Sequence, residues 1–174
     1  MGLLQVKTHT VTQGNESQTI KLESCITTDD TYVLVCNNLS VAANGGICDV
    51  KPLVDSTSDD TSNIGIAWAD YKTDAEFQEF GNTNQDIARA TDGMALAPGQ
   101  CNFIMYLYNW NSSSEYSYFF MNVTSFTDSK LRGYQQNGVK KETTSYNGIQ
   151  IYTNQATSPA GFQAGSQFTL YKET

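Results

Sequence analysis

At 174 residues the chain is long enough for one domain with a sizeable core and leaves little room for a second. Its 18 Asp and Glu against 10 Lys and Arg give a formal net charge of -8, which argues against attachment to nucleic acid or an anionic membrane, where binding depends on neutralising phosphates. Hydrophobic residues are 39% and the 10 Tyr outnumber the 8 Phe, a composition suited to polar-surfaced β-strands, so residues 1–174 are expected to form a single all-β domain.

In chain order, Met1 to Lys7 has no basic n-region, and Lys7 ends the apolar stretch before a signal-peptide core develops, so synthesis in a cytoplasm is expected. No segment reaches the length of a membrane-spanning helix. Leu3 to Thr12 and Gln18 to Cys25 flank the turn signal Gln13-Gly14-Asn15-Glu16 and read as an opening hairpin. Tyr32 to Leu39 is almost continuously apolar, as in a central strand covered on both faces. Asn44-Gly45-Gly46 marks a turn before Ile47 to Val54, a half-buried strand whose end Pro52 demotes to an edge. Asp55 to Asn63 contains no apolar residue and reads as a surface loop. Ile64, Ile66 and Trp68 then alternate with Gly65, Ala67 and Ala69, a strand with small residues outward. Tyr71 to Gly93, rich in Asn, Thr and Gly, reads as a long elaborated loop.

Cys101 to Phe126, CNFIMYLYNWNSSSEYSYFFMNVTSF, carries the strongest signal: two aromatic and β-branched runs around a polar tip, the pattern of a β-hairpin. Phe103, Met105 and Leu107 share one face; Ile104, Tyr106, Tyr108 and Trp110 share the other. Leu131 to Thr144 reads as a strand exposed on one face, Tyr146-Asn147-Gly148 as a turn into Ile149 to Tyr152, and Gln167 to Tyr171 as the final strand. Nine or ten strands without a repeat predict an antiparallel, jelly-roll-like β-sandwich. Cys25, Cys36, Cys48 and Cys101 have no CxxC spacing and are expected as mostly buried free thiols.

Chemistry is sparse. His9 is the only histidine, on an outer strand, and reads as a solvated residue rather than a catalytic base; no GxSxG occurs and no cofactor is implied. Asp55, Asp59 and Asp60 offer the oxygens that calcium prefers, but not in EF-hand spacing. With Tyr71, Phe77 and Phe80 of the following segment, they are instead singled out as exposed or docking loop residues, because elaborated loops carry binding function. Trp68 and Trp110 are candidates for a saccharide platform. Tyr106, Tyr108, Tyr116 and Tyr118 would join Trp110 if their face lay open to solvent, although aromatics at such spacing more often belong to a core or interface.

The C-terminal segments Asn147-Gly148-Ile149-Gln150-Ile151-Tyr152 and Gly161-Phe162-Gln163-Ala164-Gly165-Ser166-Gln167-Phe168-Thr169-Leu170-Tyr171-Lys172 resemble the ending of small β-sandwich structural proteins of tailed phages, especially marine and cyanobacterial podoviruses. Asp29-Asp30-Thr31-Tyr32-Val33-Leu34-Val35, the loop Ala43-Asn44-Gly45-Gly46 and the hairpin Asn109 to Tyr118 are similar to other parts of those domains, so most of the chain is covered. The resemblance implies a non-enzymatic virion protein with no catalytic residues to carry over. It would be a capsid decoration or knob protein bound to major capsid protein, or a tail or neck fibre component, displayed on the virion surface, with self-association or a host surface glycan as further partners. The chain departs from typical fibres in having no coiled coil, shaft repeat or long anchoring segment, which favours a domain seated directly on a preformed shell.

Overall fold

The computed structural model describes residues 2–13, 19–41, 46–60, 64–72, 78–85, 88–94, 101–127, 130–153 and 161–174. The turn segments 14–18 and 42–45 lie outside them. Among the described residues every strand pairing is antiparallel, and two sheets pack against each other as a β-sandwich, in agreement with the sequence. The larger sheet runs β1 (Leu3–Thr10), β13 (Gln167–Glu173), β3 (Tyr32–Leu39), β9 (Cys101–Tyr108), β10 (Ser117–Thr127), β11 (Lys130–Lys140), β6 (Ile64–Lys72), β7 (Gln78–Gln85). The smaller runs β2 (Thr19–Leu22), β12 (Gly148–Thr153), β4 (Gly46–Val54), β5 (Thr57–Ser58), with β8 (Ala88–Met94) pairing to another stretch of β4.

Alternation decides which side chains meet between the sheets. From the larger sheet Leu34, Cys36, Phe103, Met105, Leu107, Phe119, Met121, Phe168 and Leu170 are buried, and they face Ile20, Leu22, Cys48, Val50, Ile149 and Ile151 of the smaller. Burying each such side chain contributes about 1.5–3 kcal/mol, so this shared layer holds the fold together. The central hairpin, the central Tyr32–Leu39 strand and the closing strand are as expected, and Gly161 and Gly165 take φ values of 139° and 92° that suit glycine at the tight return before β13. All four cysteines are free and buried; burial pushes the thiols of Cys36 and Cys48 well up.

Four expectations are corrected. The first two strands are not a hairpin: β1 pairs with β13 in one sheet and β2 with β12 in the other, so the chain crosses the sandwich between them. The Tyr71–Gly93 segment is not a long loop, because it holds β7 and β8. As the edge strand beside β6, β7 is held by backbone bonds on one side and needs no apolar alternation. The β4 strand is internal, yet Pro52 falls between its pairing to β8 over Gly46–Val50 and its pairing to β5 over Leu53–Val54, so the missing N–H interrupts no ladder. Finally, the Asp55 segment begins as a two-residue hairpin: Asp55 and Ser56 have φ of 47° and 70°, the doubly left-handed signature of a type I′ turn.

A candidate binding surface on the eight-stranded sheet

The register places residues of the larger sheet in rows across its outer face. One row runs Gln5, Tyr171, Val33, Tyr106, Phe120, Asn137, Ala67 from β1 to β6. The next runs Thr8, Thr169, Val35, Ile104, Asn122, Gln135, Ala69. Neither row contains a charged residue, in a chain with 18 acidic and 10 basic side chains. On the solvated side of an antiparallel sheet, alternation ordinarily supplies polar and charged groups. Beside the first row, Tyr108 and Tyr118 face each other across β9 and β10, 38% and 46% exposed.

Packing within the face is aromatic. The Tyr106 ring stacks on Tyr108 with centroids 6.5 Å apart and tilts against Phe120 at 6.2 Å. Val33 points outward yet is only 1% exposed, as expected of an aliphatic floor covered by its larger neighbours. Burial first, then the charges of Glu173 and Tyr106, push the Tyr108 hydroxyl above its ordinary value, so it stays a neutral donor. At the other end of the sheet Tyr71, 44% exposed, reaches Gln135 Oε1 with its hydroxyl at 3.4 Å, and Phe126 and Leu131 form an exposed apolar pair opposite each other on β10 and β11. The surface is thus a hydrophobic and aromatic field with an uncharged centre, edged by Gln5, Thr8, Gln135 and Asn137, with the charge of Glu173 acting on Tyr108 at its margin.

Of the residues singled out in the sequence, Tyr71 lies on this face, as do Tyr106, Tyr108 and Tyr118. The two tryptophans do not. Trp68 is half-buried against the core, opposite Gln136. Trp110 is 3% exposed, tilts against Tyr146 at 5.6 Å and donates its indole N–H to the Gly148 carbonyl at 3.3 Å. The reason is local: Asn109 adopts φ 54°, which ends the alternation of β9 and turns Trp110 inward. A tryptophan saccharide platform is therefore ruled out at Trp110. His9 is half-buried opposite Phe168 rather than solvated.

The acidic loop is also different from its expectation as an open tip. Asp59 is mostly buried: its Oδ2 lies 2.9 Å from Lys140 Nζ and accepts the Tyr146 hydroxyl at 2.8 Å. Asp60 pairs with Lys51 and accepts from the Ser58 hydroxyl, and Asp55 accepts from Asn147 Nδ2 at 2.8 Å while its own N–H donates to Asn147 Oδ1. Each carboxylate is thus engaged by a side-chain donor, and among the described residues no three His, Cys, Asp or Glu side chains are grouped to hold a metal ion. Asp55 and Asp60 remain exposed. Phe77 lies outside the described residues, and Phe80 stands opposite Trp68 in the β6–β7 register. No family model, curated protein or solved structure matches the chain.

Proposed function

We propose that this chain is a non-enzymatic protein of a virion surface, seated on the particle's protein shell through the outer face of the eight-stranded sheet, in the manner of the capsid decoration or knob proteins that its sequence resembles. The observation that carries the reading is the pair of charge-free rows flanked by Tyr108 and Tyr118. Aromatic side chains with uncharged surroundings gain most from being covered by a complementary protein, because large apolar area leaves water without stranding a charge. A stable seat would bury about 1,200–2,000 Å² in total. The sequence resemblance favours major capsid protein as the partner, with a neck or tail component as the neighbouring alternative.

Immunogold labelling of intact particles with antibody to this chain tests the reading. Gold distributed over heads is expected. Gold confined to neck or tail would reassign the protein to a fibre, and accessible but unlabelled particles would sink the virion reading.

A second reading rests on the same tyrosines. With Tyr108 and Tyr118 open to solvent, the face also has the form of a stacking platform for sugar rings, so a host surface polysaccharide is the competing ligand. Because Trp68 and Trp110 both turn inward, tryptophan fluorescence would report poorly on such binding. A glycan array or calorimetric titration is the better discriminator, and specific saccharide binding lost on Tyr118→Ala would favour this alternative.

A further inference from the structure

At one end of the sandwich four reactive groups converge, three of them away from water and the fourth, Glu142, a third exposed. Lys140 closes β11 with its side chain 2% exposed, and its Nζ stands 2.9 Å from Oδ2 of Asp59, itself 11% exposed. Glu142 Oε2 lies 3.8 Å from the same Nζ. The Tyr146 hydroxyl donates to Asp59 Oδ2 at 2.8 Å. Trp110 packs against the Tyr146 ring, and Ile64 and Ser117, opposite Lys140 on the neighbouring strands, are themselves buried. A nucleophilic amine, a carboxyl carbon and a hydroxyl donor are therefore enclosed together, with a second carboxylate at their solvent-facing rim.

That set supplies the groups that amide formation requires. The amine must be held close to the carbonyl carbon, since reaction proceeds from separations of about 3–3.5 Å. A base must move a proton during attack and loss of the leaving group, and a donor must hold the oxygen on which charge develops. A buried ion pair, by contrast, gives little net stability over apolar side chains of the same volume, so stabilisation alone is a weak account of this arrangement.

We propose that Lys140 and Asp59 join in an intramolecular isopeptide bond, with Glu142 as proton relay and Tyr146 as the oxygen-holding donor. The proton that leaves the Lys140 ammonium ends on Oδ1 of Asp59, the oxygen that Tyr146 does not hold, giving an amine and a carboxylic acid. Nζ attacks Cγ, the Nζ–Cγ bond forms, and the oxygen held by Tyr146 carries the charge of the tetrahedral intermediate. Glu142 takes a proton from nitrogen and delivers it to the other oxygen, the Cγ–O bond breaks, and one water departs. No electrons are exchanged and no co-reactant is consumed. The product ties β11 of the larger sheet to the segment after β5 of the smaller, a covalent cross-brace between the two layers.

Intact-protein mass spectrometry of the full chain tests this directly. The wild-type protein is expected to be lighter than its sequence mass by one water, and Lys140→Arg, which keeps the charge but removes the amine, to have its full mass. Peptide mapping should recover the segments around Lys140 and Asp59 joined. A succinimide at Asp59-Asp60 would also lose water, but it would leave those peptides separate and would persist in Lys140→Arg, an outcome that overturns the proposal. Full mass in folded wild-type protein after prolonged incubation would overturn it as well. Glu142→Gln should yield mainly uncross-linked chain while retaining the β-sheet circular dichroism of the wild type; rapid and complete cross-linking in that variant would remove Glu142 from the relay.

Discussion

The outer face of the eight-stranded sheet carries Tyr171, Val33, Tyr106 and Phe120 in a row, whereas that of the five-stranded sheet carries Lys21, Gln150, Lys51, Asp49 and Tyr152. On the smaller sheet the charges are used internally. Lys21 donates to the Ser56 carbonyl, Lys51 pairs with Asp60 and lies 5.4 Å from the centroid of the Tyr152 ring, and Asp49 is completely buried. On the larger sheet the aromatic rings have mainly one another. A face whose lysines are already engaged gains little from a partner, while one with open aromatic area gains free energy when covered. The difference suggests that one side of the sandwich builds the molecule and the other meets its surroundings.

The strongest way to break that division is to damage the side that builds. Relative to the uncross-linked Lys140→Arg chain, which keeps the charge, Lys140→Met should be less stable by about 3–5 kcal/mol, because it removes the cation from the buried Asp59 carboxylate while leaving the carboxylate in place. Urea denaturation would measure it, and a loss below about 1 kcal/mol, the range of exposed ion pairs, would mean that the pair is effectively solvated. Gly148→Ala comes next. A Cβ there would stand 2.5 Å from the Leu22 carbonyl oxygen, a backbone atom that cannot rotate away, so β12 and β2 would have to separate. Overpacking of this kind costs about 1–3 kcal/mol, readable as a lowered denaturation midpoint.

A pH titration sharpens the same point. Burial first, then the Asp59 carboxylate that accepts its hydrogen bond, hold the Tyr146 hydroxyl far above the ordinary tyrosine range. The folded state therefore keeps a proton that the unfolded chain gives up near pH 10. The resulting stability is fully present below about pH 10 and is lost as the pH rises above it. Tyr146→Phe should flatten this alkaline slope. An unchanged slope in the variant would assign the alkaline loss to other groups.

Much of the architecture was legible because strand periodicity is local. Phe103, Met105 and Leu107 announce the inner face of β9 by alternation alone, and the composition of Cys101 to Phe126 announces its hairpin. Alternation misleads once the backbone leaves the extended region. Asn109 at φ 54° is the step at which extrapolating from Tyr106 and Tyr108 to Trp110 fails, and asparagine's tolerance of that conformation was the available signal. The Asp59–Lys140–Tyr146 cluster was not legible, because its members come from separate turns and strand ends that only the topology unites. The β7 and β8 strands were hidden for another reason: hydrogen bonds to a neighbour hold them, and these leave no apolar pattern.

The smallest effect on stability should come from the outer face, and it is the most discriminating. Tyr108 and Tyr118 are each more than a third exposed, so replacing either by Ser should change folding stability by only about 0.5 kcal/mol. If the face is the seat on a particle, the Tyr108→Ser, Tyr118→Ser double variant should nevertheless lose capture by the particle, since central aromatic anchors contribute about 2 kcal/mol or more to binding. Cosedimentation of the purified chain with particles lacking it measures that loss, while thermal denaturation of the same variant supplies the control. Capture at the wild-type level with an intact fold would move the contact off this face and remove the contrast between the two sheets as an explanation. Loss of capture together with a large fall in stability would show instead that these tyrosines brace the sandwich, which their exposure argues against.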